Sequence, residues 1–474
     1  MQSNRGGRIL FDVSTAMRWA GPPAGIVRVE RKLALWAYAN IASVVFVFFD
    51  PSRLAYCEIT RDVRQFLTGE AALDTLGLTN PALPGRRRTD RIPVALKPAF
   101  LWIGQTRRKA LNSLERLRLS TDRPWLARLA DRLQRRLMSP KYRSFMVRQD
   151  DTRLPFFPYK MALGPRIEFG RNDTLICAGS GWGHTNIEAL SDLKSRIGFR
   201  MVLLCHDLIP LMFPRFYRDY DVELFGNYMH KALTIADRIV VNSRSVEADC
   251  RAYCTQHGII AGDITLGFLG FDVEAVRPKS VAELPASLRA GQFAMLVSTI
   301  EPRKGHRLLY KVWRRLMAAG VPQVTGFKLV FAGRTGWMID DLLADIRNDP
   351  QTADQILLIH DVDDGMLTAL YQSAAFCVYP SLYEGYGLPV IEAFAHGKVV
   401  LTSNGGALPE LARGFSPCLD PTHEQAWYEM MKQWIESPQA REPYEREIRA
   451  RFRHPTWSEA AANFFAGIST AKES

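Results

Sequence analysis

No apolar run in this chain approaches the roughly 20 residues a membrane-spanning helix needs. Ile41–Phe49 is the longest clear one, and it reads as a buried strand. The stretch Met1–Asp12 has no long apolar core, so it is not expected to be a secretory signal. The seven cysteines are odd in number and scattered, with no C-x-x-C, which excludes a disulfide framework and a zinc ribbon. Cys250 and Cys254 stand one helical turn apart and read as buried, reduced thiols rather than half of a metal site. The expected compartment is therefore the reducing cytoplasm. A full G-x-G-x-x-G frame is also missing: in Gly179-Ser-Gly-Trp-Gly183 the third glycine position is Asn186.

What is present is ordinary globular composition, 47% hydrophobic and 23% charged, over 474 residues. That length suits about two to three domains. The net charge of +12 is concentrated. Arg86–Arg148 holds 18 basic and 4 acidic residues, whereas the rest of the chain holds 43 basic and 45 acidic. The basicity belongs to one segment.

Along the chain, strands alternate with Gly/Pro loops and helices. Arg8–Val13 reads as a strand and Ala20–Glu30 as a loop entering a helix that runs to about Ala39; Ile41–Phe49 is the next strand. The pattern breaks over 60–160 and resumes with strands at 173–178, 200–205, 238–242 and 263–270. Residues 272–290, with Pro278 and Pro285, read as a linker. The second half repeats the rhythm with strands at 293–300, 327–332, 374–379 and 399–402. This order predicts an α/β fold with parallel sheets that bind ligands at the carboxyl ends of their strands.

The chemistry concentrates in Tyr379-Pro-Ser-Leu-Tyr-Glu-Gly-Tyr-Gly-Leu-Pro-Val-Ile-Glu-Ala-Phe-Ala-His-Gly397. A strand feeds a Gly-rich loop, and the loop feeds a helix that starts at Leu388-Pro389 and stops at Gly397. Free backbone N–H groups and the helix dipole suit an anion there, and Gly385 and Gly387 allow close approach. Glu384 in the loop and Glu392 on the first turn would repel a phosphate, so they more readily hold hydroxyls. Phosphate plus hydroxyls describes a sugar nucleotide.

The frame P-S-x-x-E-G-x-G-L-P-x-x-E-A, with Glu-x7-Glu, closely resembles the signature of the retaining glycosyltransferases of family 4. The likeness is strong over about 290–415, moderate at 8–40 and 200–245, and absent over 60–160. It implies the GT-B fold: two Rossmann-like domains facing across a cleft. Here these would be 1–275, with a basic helical insertion at about 60–160, and 290–445, followed by a C-terminal helix (446–474, candidate Trp457–Phe465) returning to the first domain. It implies that Glu392 holds the ribose and Glu384 the sugar, with Tyr386, Gly385, Gly387 and Leu388 around the donor. Lys304 would meet the diphosphate, and because Thr299 stands where the family has an early Arg, Arg303 or Arg334 would assist. The residue at Val362 would present its backbone to the base, and Gly25 would approach the donor phosphates. His206, in His206-Asp207-Leu-Ile-Pro, would stand at the donor sugar, with Asp207, Trp182 and His184 on the acceptor side. Retention of the anomer and no metal requirement follow from the same likeness. Asp361-x-Asp363 and Asp219-x-Asp221 mimic a metal-binding D-x-D, but Asp363 or Asp364 reads instead as a helix cap.

Phe11-Asp-Val-Ser14 and His206-Asp-Leu-Ile-Pro210 are most similar to the bacterial mannosyltransferases that extend O-antigen and capsule chains. That makes GDP-mannose the first expected donor and a lipid-linked or growing polysaccharide the expected acceptor, with no other cofactor. The alternatives are a glucosyl- or rhamnosyltransferase using a UDP-, ADP- or dTDP-sugar, including a glycogen-synthase-like enzyme, and a non-catalytic polyanion- or membrane-binding protein on the same scaffold. In the basic segment, Leu111, Leu114 and Leu117, then Leu126, Leu129, Leu133 and Leu137, recur at helical spacing with Trp102 and Trp125 nearby. Arg-rich amphipathic helices of this kind suit an anionic membrane surface. A solvated helical insertion is the plainer reading, and nucleic acid is disfavoured for want of a binding motif.

Overall fold

The structure is a computed structural model. It describes residues 7–19, 25–50, 55–59, 163–272, 283–360 and 362–469, with isolated positions between 53 and 136. The loop 20–24, most of the basic segment, most of the linker and Asp361 lie outside the described residues. The described parts form two compact units, one within 1–204, 223–239 and 258–264, the other within 205–222, 240–257 and 265–474.

The first sheet has eight strands in the order β4-β3-β2-β1-β5-β6-β7-β8. Its strands are β1 (Ile9–Asp12), β2 (Val44–Asp50), β3 (Ala55–Ile59), β4 (Leu163–Arg166), β5 (Thr174–Cys177), β6 (Arg200–Cys205), β7 (Arg238–Val241) and β8 (Asp263–Leu266). β1 pairs in parallel with β2 and β5, and β5 with β6. These strands are short apolar runs buried on both faces, the pattern expected of a covered parallel sheet. The expected strand at 263–270 stops at Leu266. β3 and β4 add an antiparallel edge that the sequence did not announce.

The second sheet has six strands, β11-β10-β9-β12-β13-β14. They are β9 (Phe293–Val297), β10 (Lys328–Ala332), β11 (Ile356–Ile359), β12 (Phe376–Tyr379), β13 (Val400–Ser403) and β14 (Cys418–Leu419), and every pair is parallel. In chain order this is the 3-2-1-4-5-6 arrangement of a dinucleotide-binding sheet. Leu309, Val312, Trp313 and Leu316 line one face of helix His306–Ala318 and bury it, with Phe331, Phe376, Trp427 and Trp434 in the same core. Each such side chain contributes roughly 1.5–3 kcal/mol on leaving water. Among the described residues no helix is long and apolar enough to cross a membrane.

Cys250 and Cys254 are both buried and free, yet the Cys250 thiol points at Cys205, 3.4 Å away. The helical spacing gave the burial but not the partner.

Candidate functional site

In the second sheet the strand order reverses between β9 and β12, and open α/β sheets bind ligands at such a point, beyond the carboxyl ends of the strands. Two loops leave those ends: 298–305 after β9 and 380–387 after β12. Both carry residues singled out in the sequence.

The loops meet through charge. Lys304 Nζ lies 2.6 Å from Glu384 Oε1, and Arg303 Nη1 lies 3.2 Å from the same oxygen. Arg303 Nη2 reaches Glu301 at 2.7 Å, and its Nη1 also donates to the Tyr383 carbonyl. The Arg303 backbone carbonyl accepts the Leu382 N–H at 2.8 Å. Arg303 thus fastens residues 382, 383 and 384, and is itself buried. Lys304 lies nearer the sheet, 3.4 Å from the Tyr379 hydroxyl and above its ring. Burial alone would raise the Glu384 carboxyl, but Arg303 and Lys304 overcome it and hold the group down at about 2. Burial, assisted by Arg303, lowers the Lys304 ammonium. Burial also opposes the Arg303 charge, yet Glu384 and Glu301 outweigh it and raise that group. The result is two cations and two carboxylates in close balance.

Helix Leu388–Ala395 begins at Gly387, whose φ of 118° is open to glycine and strained for other residues. Its first turn holds no acidic residue, so its N–H groups keep their positive field. Glu392 opens the second turn rather than lying on the first, and it is buried. Tyr371 donates to Glu392 Oε2 at 2.9 Å. Tyr386 is also buried, with its hydroxyl 3.2 Å from the Leu269 carbonyl and 2.9 Å from His454 Nε2. Its side chain therefore anchors the loop.

Gly385 is required for space. A Cβ there would come 2.5 Å from the His206 carbonyl oxygen and 2.8 Å from Asp207 Cβ. The Gly385 carbonyl accepts from Ser243 Oγ at 2.8 Å, a contact that sequence reasoning missed. His206 is buried, and its own carbonyl accepts from Asn242. Asp207 Oδ1 accepts the Ile209 N–H at 3.0 Å, so this carboxylate shapes the turn into the next helix. Thr299 is half-buried, and Arg334 is exposed with its carbonyl bonded to Ile300 N–H. Val362 is half-buried at the end of the loop after β11. Asp363 caps helix Asp364–Ser373 by accepting the Met366 N–H at 2.7 Å, as its position before that helix implied.

Gly25, Trp182 and His184 belong to the first unit. Gly25 begins helix Gly25–Asn40 with φ 51°. Trp182 packs edge-on against Phe225. Burial drops the His184 imidazole to about 3, so it is neutral at ordinary pH. In the same unit lie two buried carboxyls that the sequence reading passed over. Asp12 accepts from Ser14 N–H and from Tyr56 at 3.0 Å; Glu30 accepts the Ala16 N–H at 2.6 Å. Burial first, and Asp12 second, push Glu30 well above the usual carboxyl range. Its sequence position was a signal: Val27, Glu30, Ala34 and Ala37 share one buried helix stripe.

Comparison with known proteins matches residues 289–451 to the family described as Glycosyl transferases group 1. The chain is 27% identical over 289 residues to the serotype-specific mannosyltransferase WbdA of Escherichia coli, covering 57% of this chain and 33% of WbdA. It is 34% identical over 156 residues to O-antigen chain mannosyltransferase B of the same organism, covering 31% of this chain and 39% of that protein. It therefore spans about a third of WbdA's length. Among solved structures it resembles Anabaena Alr3699/HepE, in complex with UDP and glucose, at 13% identity and a TM-score of 0.56 over 98% of this chain and 100% of that one. This likeness shows the fold, which is GT-B. In sequence the chain resembles family 4 glycosyltransferases, among them bacterial O-antigen mannosyltransferases.

Proposed function

We propose that this chain, whose residues 289–451 match the family described as Glycosyl transferases group 1, moves a hexose from a nucleotide sugar to a hydroxyl of a growing surface polysaccharide. GDP-mannose is the proposed donor, because relatives such as WbdA and O-antigen chain mannosyltransferase B are named mannosyltransferases. The observation that carries the reading is the placing of Lys304 and Glu384, 2.6 Å apart, beside the N-terminus of helix Leu388–Ala395 at the reversal of strand order.

In this mechanism Lys304 and the helix N–H groups take the diphosphate, whose charge grows as the glycosidic bond breaks. Fixed positive groups lower that barrier without reorganising. Arg303 is engaged with Glu301, Glu384 and the Tyr383 carbonyl, so its part is to hold the loop; Arg334 is the more exposed second cation. Glu384 binds hydroxyls of the sugar and Glu392 those of the ribose, while the Val362 backbone meets the base. His206 stands at the donor sugar, and Trp182, His184 and Asp207 serve the acceptor. The anomer is retained and no metal is required.

The acceptor is proposed to be lipid-linked, with the reaction at the cytoplasmic face of the membrane and the basic segment 86–148 near anionic lipid. Trp125, Leu129 and Leu133, four apart, are 60%, 42% and 39% exposed, which favours that role over a plain solvated insertion.

A thermal-shift screen of GDP, UDP, ADP and dTDP in EDTA tests the donor reading. A ligand that binds only the folded state raises the melting temperature by mass action, and GDP is expected to raise it most. Greater stabilisation by another of the four would replace mannose by a glucosyl or rhamnosyl donor. No shift with any of them would contradict a nucleotide-sugar enzyme.

A further inference from the structure

We propose that Tyr371 is a positioning residue for Glu392, and that nucleotide recognition depends on its phenolic proton. The inference rests on the donor-binding role of Glu392 given above.

Tyr371 lies on helix Asp364–Ser373, 21 residues before Glu392, and its side chain is 2% exposed. A buried phenol needs a partner for its O–H. Tyr371 has two acceptors within reach, both on the donor-side helix: Glu392 Oε2 at 2.9 Å and the Pro389 carbonyl at 3.3 Å. A hydroxyl carries one proton, and the charged, nearer oxygen is the stronger acceptor. The ring is clamped as well. His396, just past the end of helix Leu388–Ala395, stacks on it with centroids 5.2 Å apart and planes 12° from parallel. Tyr371 therefore braces that helix at its second turn, through Glu392, and at its end, through His396.

The consequence for Glu392 is orientational. A glutamate side chain has three rotatable bonds, and ordering it costs conformational entropy each time it must meet a ligand. With one oxygen fixed by a rigid, buried phenol, that ordering is done before the nucleotide arrives. Burial and Glu392 together raise the Tyr371 phenol well above its ordinary value, so the proton stays on the ring oxygen. The proposed role needs that state, because a phenolate would repel the carboxylate.

Tyr371→Phe keeps the ring and the stack on His396 and removes only the hydroxyl. Isothermal titration with GDP and with 2′,3′-dideoxy-GDP separates positioning from packing. Wild type is expected to prefer GDP over the dideoxy analogue by about tenfold or more. Tyr371→Phe is expected to weaken GDP by about tenfold, leave the analogue unchanged, and so lose most of the preference. In a Glu392→Ala background, the added Tyr371→Phe is expected to change GDP binding by less than about twofold. A Tyr371→Phe protein that keeps the full preference, or loses affinity for both ligands alike, overturns the inference while leaving the role of Glu392 standing. Wild type that fails to bind GDP, or binds both equally, overturns the role of Glu392 and this inference with it.

Discussion

The Lys304 ammonium stands 2.6 Å from a carboxylate oxygen of Glu384, a residue 80 positions further along the chain. The parallel pairing of β9 with β12 brings the two loops together, and the ion pair fixes their distance. Such a pair has consequences for stability as well as chemistry.

Glu384 is held at about 2 in the folded chain, against an ordinary 4.5. A depressed carboxyl stabilises the fold fully above its unfolded value, and the effect disappears as pH falls through the folded one. A shift of that size corresponds to about 3 kcal/mol. Glu384→Gln should therefore be less stable than wild type at pH 7, with the gap closing between pH 4.5 and 2. Urea unfolding at pH 7, 4.5 and 3 checks this; a gap independent of pH would contradict it.

Arg303 and Lys304 are neighbours with separable roles. Lys304→Met removes the cation proposed for the leaving group and should lower kcat by about 10²–10³, with a smaller effect on melting. Arg303→Lys cannot reproduce a guanidinium that reaches Glu301, Glu384 and the Tyr383 carbonyl at once. It should cost about 1–3 kcal/mol of stability. Steady-state kinetics and melting curves on both variants test the division. Equal losses on both axes would refute it.

Gly385→Ala would bring a Cβ to 2.5 Å from a backbone oxygen at His206 and 2.8 Å from Asp207 Cβ. Backbone cannot swing aside as a long side chain can, so the loop must move. The expected cost is about 1–3 kcal/mol, together with weaker donor binding, because Glu384 moves with its neighbour. Denaturant unfolding and a donor titration read the two effects; wild-type values in both would show that the contact is dispensable.

The basic segment gives a fourth prediction. Replacing a block of arginines within 86–148 by serine should release the protein from anionic vesicles at low salt, and leave donor binding intact. Sedimentation with vesicles rich in anionic lipid measures it. Unchanged sedimentation would remove the membrane role.

Much of the fold was legible because the parallel strands are brief, unbroken apolar runs. Arg200–Cys205 was placed to the residue, and the strand expected at 293–300 starts where expected but ends at Val297. The edge strands were not. β4 is Leu163-Gly-Pro-Arg166, and glycine and proline argue against a strand unless it lies at an edge, where nothing in one dimension says it does. In the candidate site, the helix start at Leu388 was readable from its frame, and Glu384 and Lys304, both singled out there, lie 2.6 Å apart. Ser243 and Tyr371 were not singled out, because each meets a partner brought near only by folding; Glu301 was passed over although its partner Arg303 is two residues away. Tyr386 shows the converse: a residue inside the motif whose hydroxyl serves Leu269 and His454. Asp207 likewise spends one oxygen on a turn.

The most direct test of the central claim is calorimetric titration of GDP-mannose, in EDTA, into wild type and Glu392→Gln. Binding in the micromolar range by wild type, weakened about tenfold or more by the substitution, is the predicted result. Absence of binding by wild type, or equal affinity in both proteins, would contradict it.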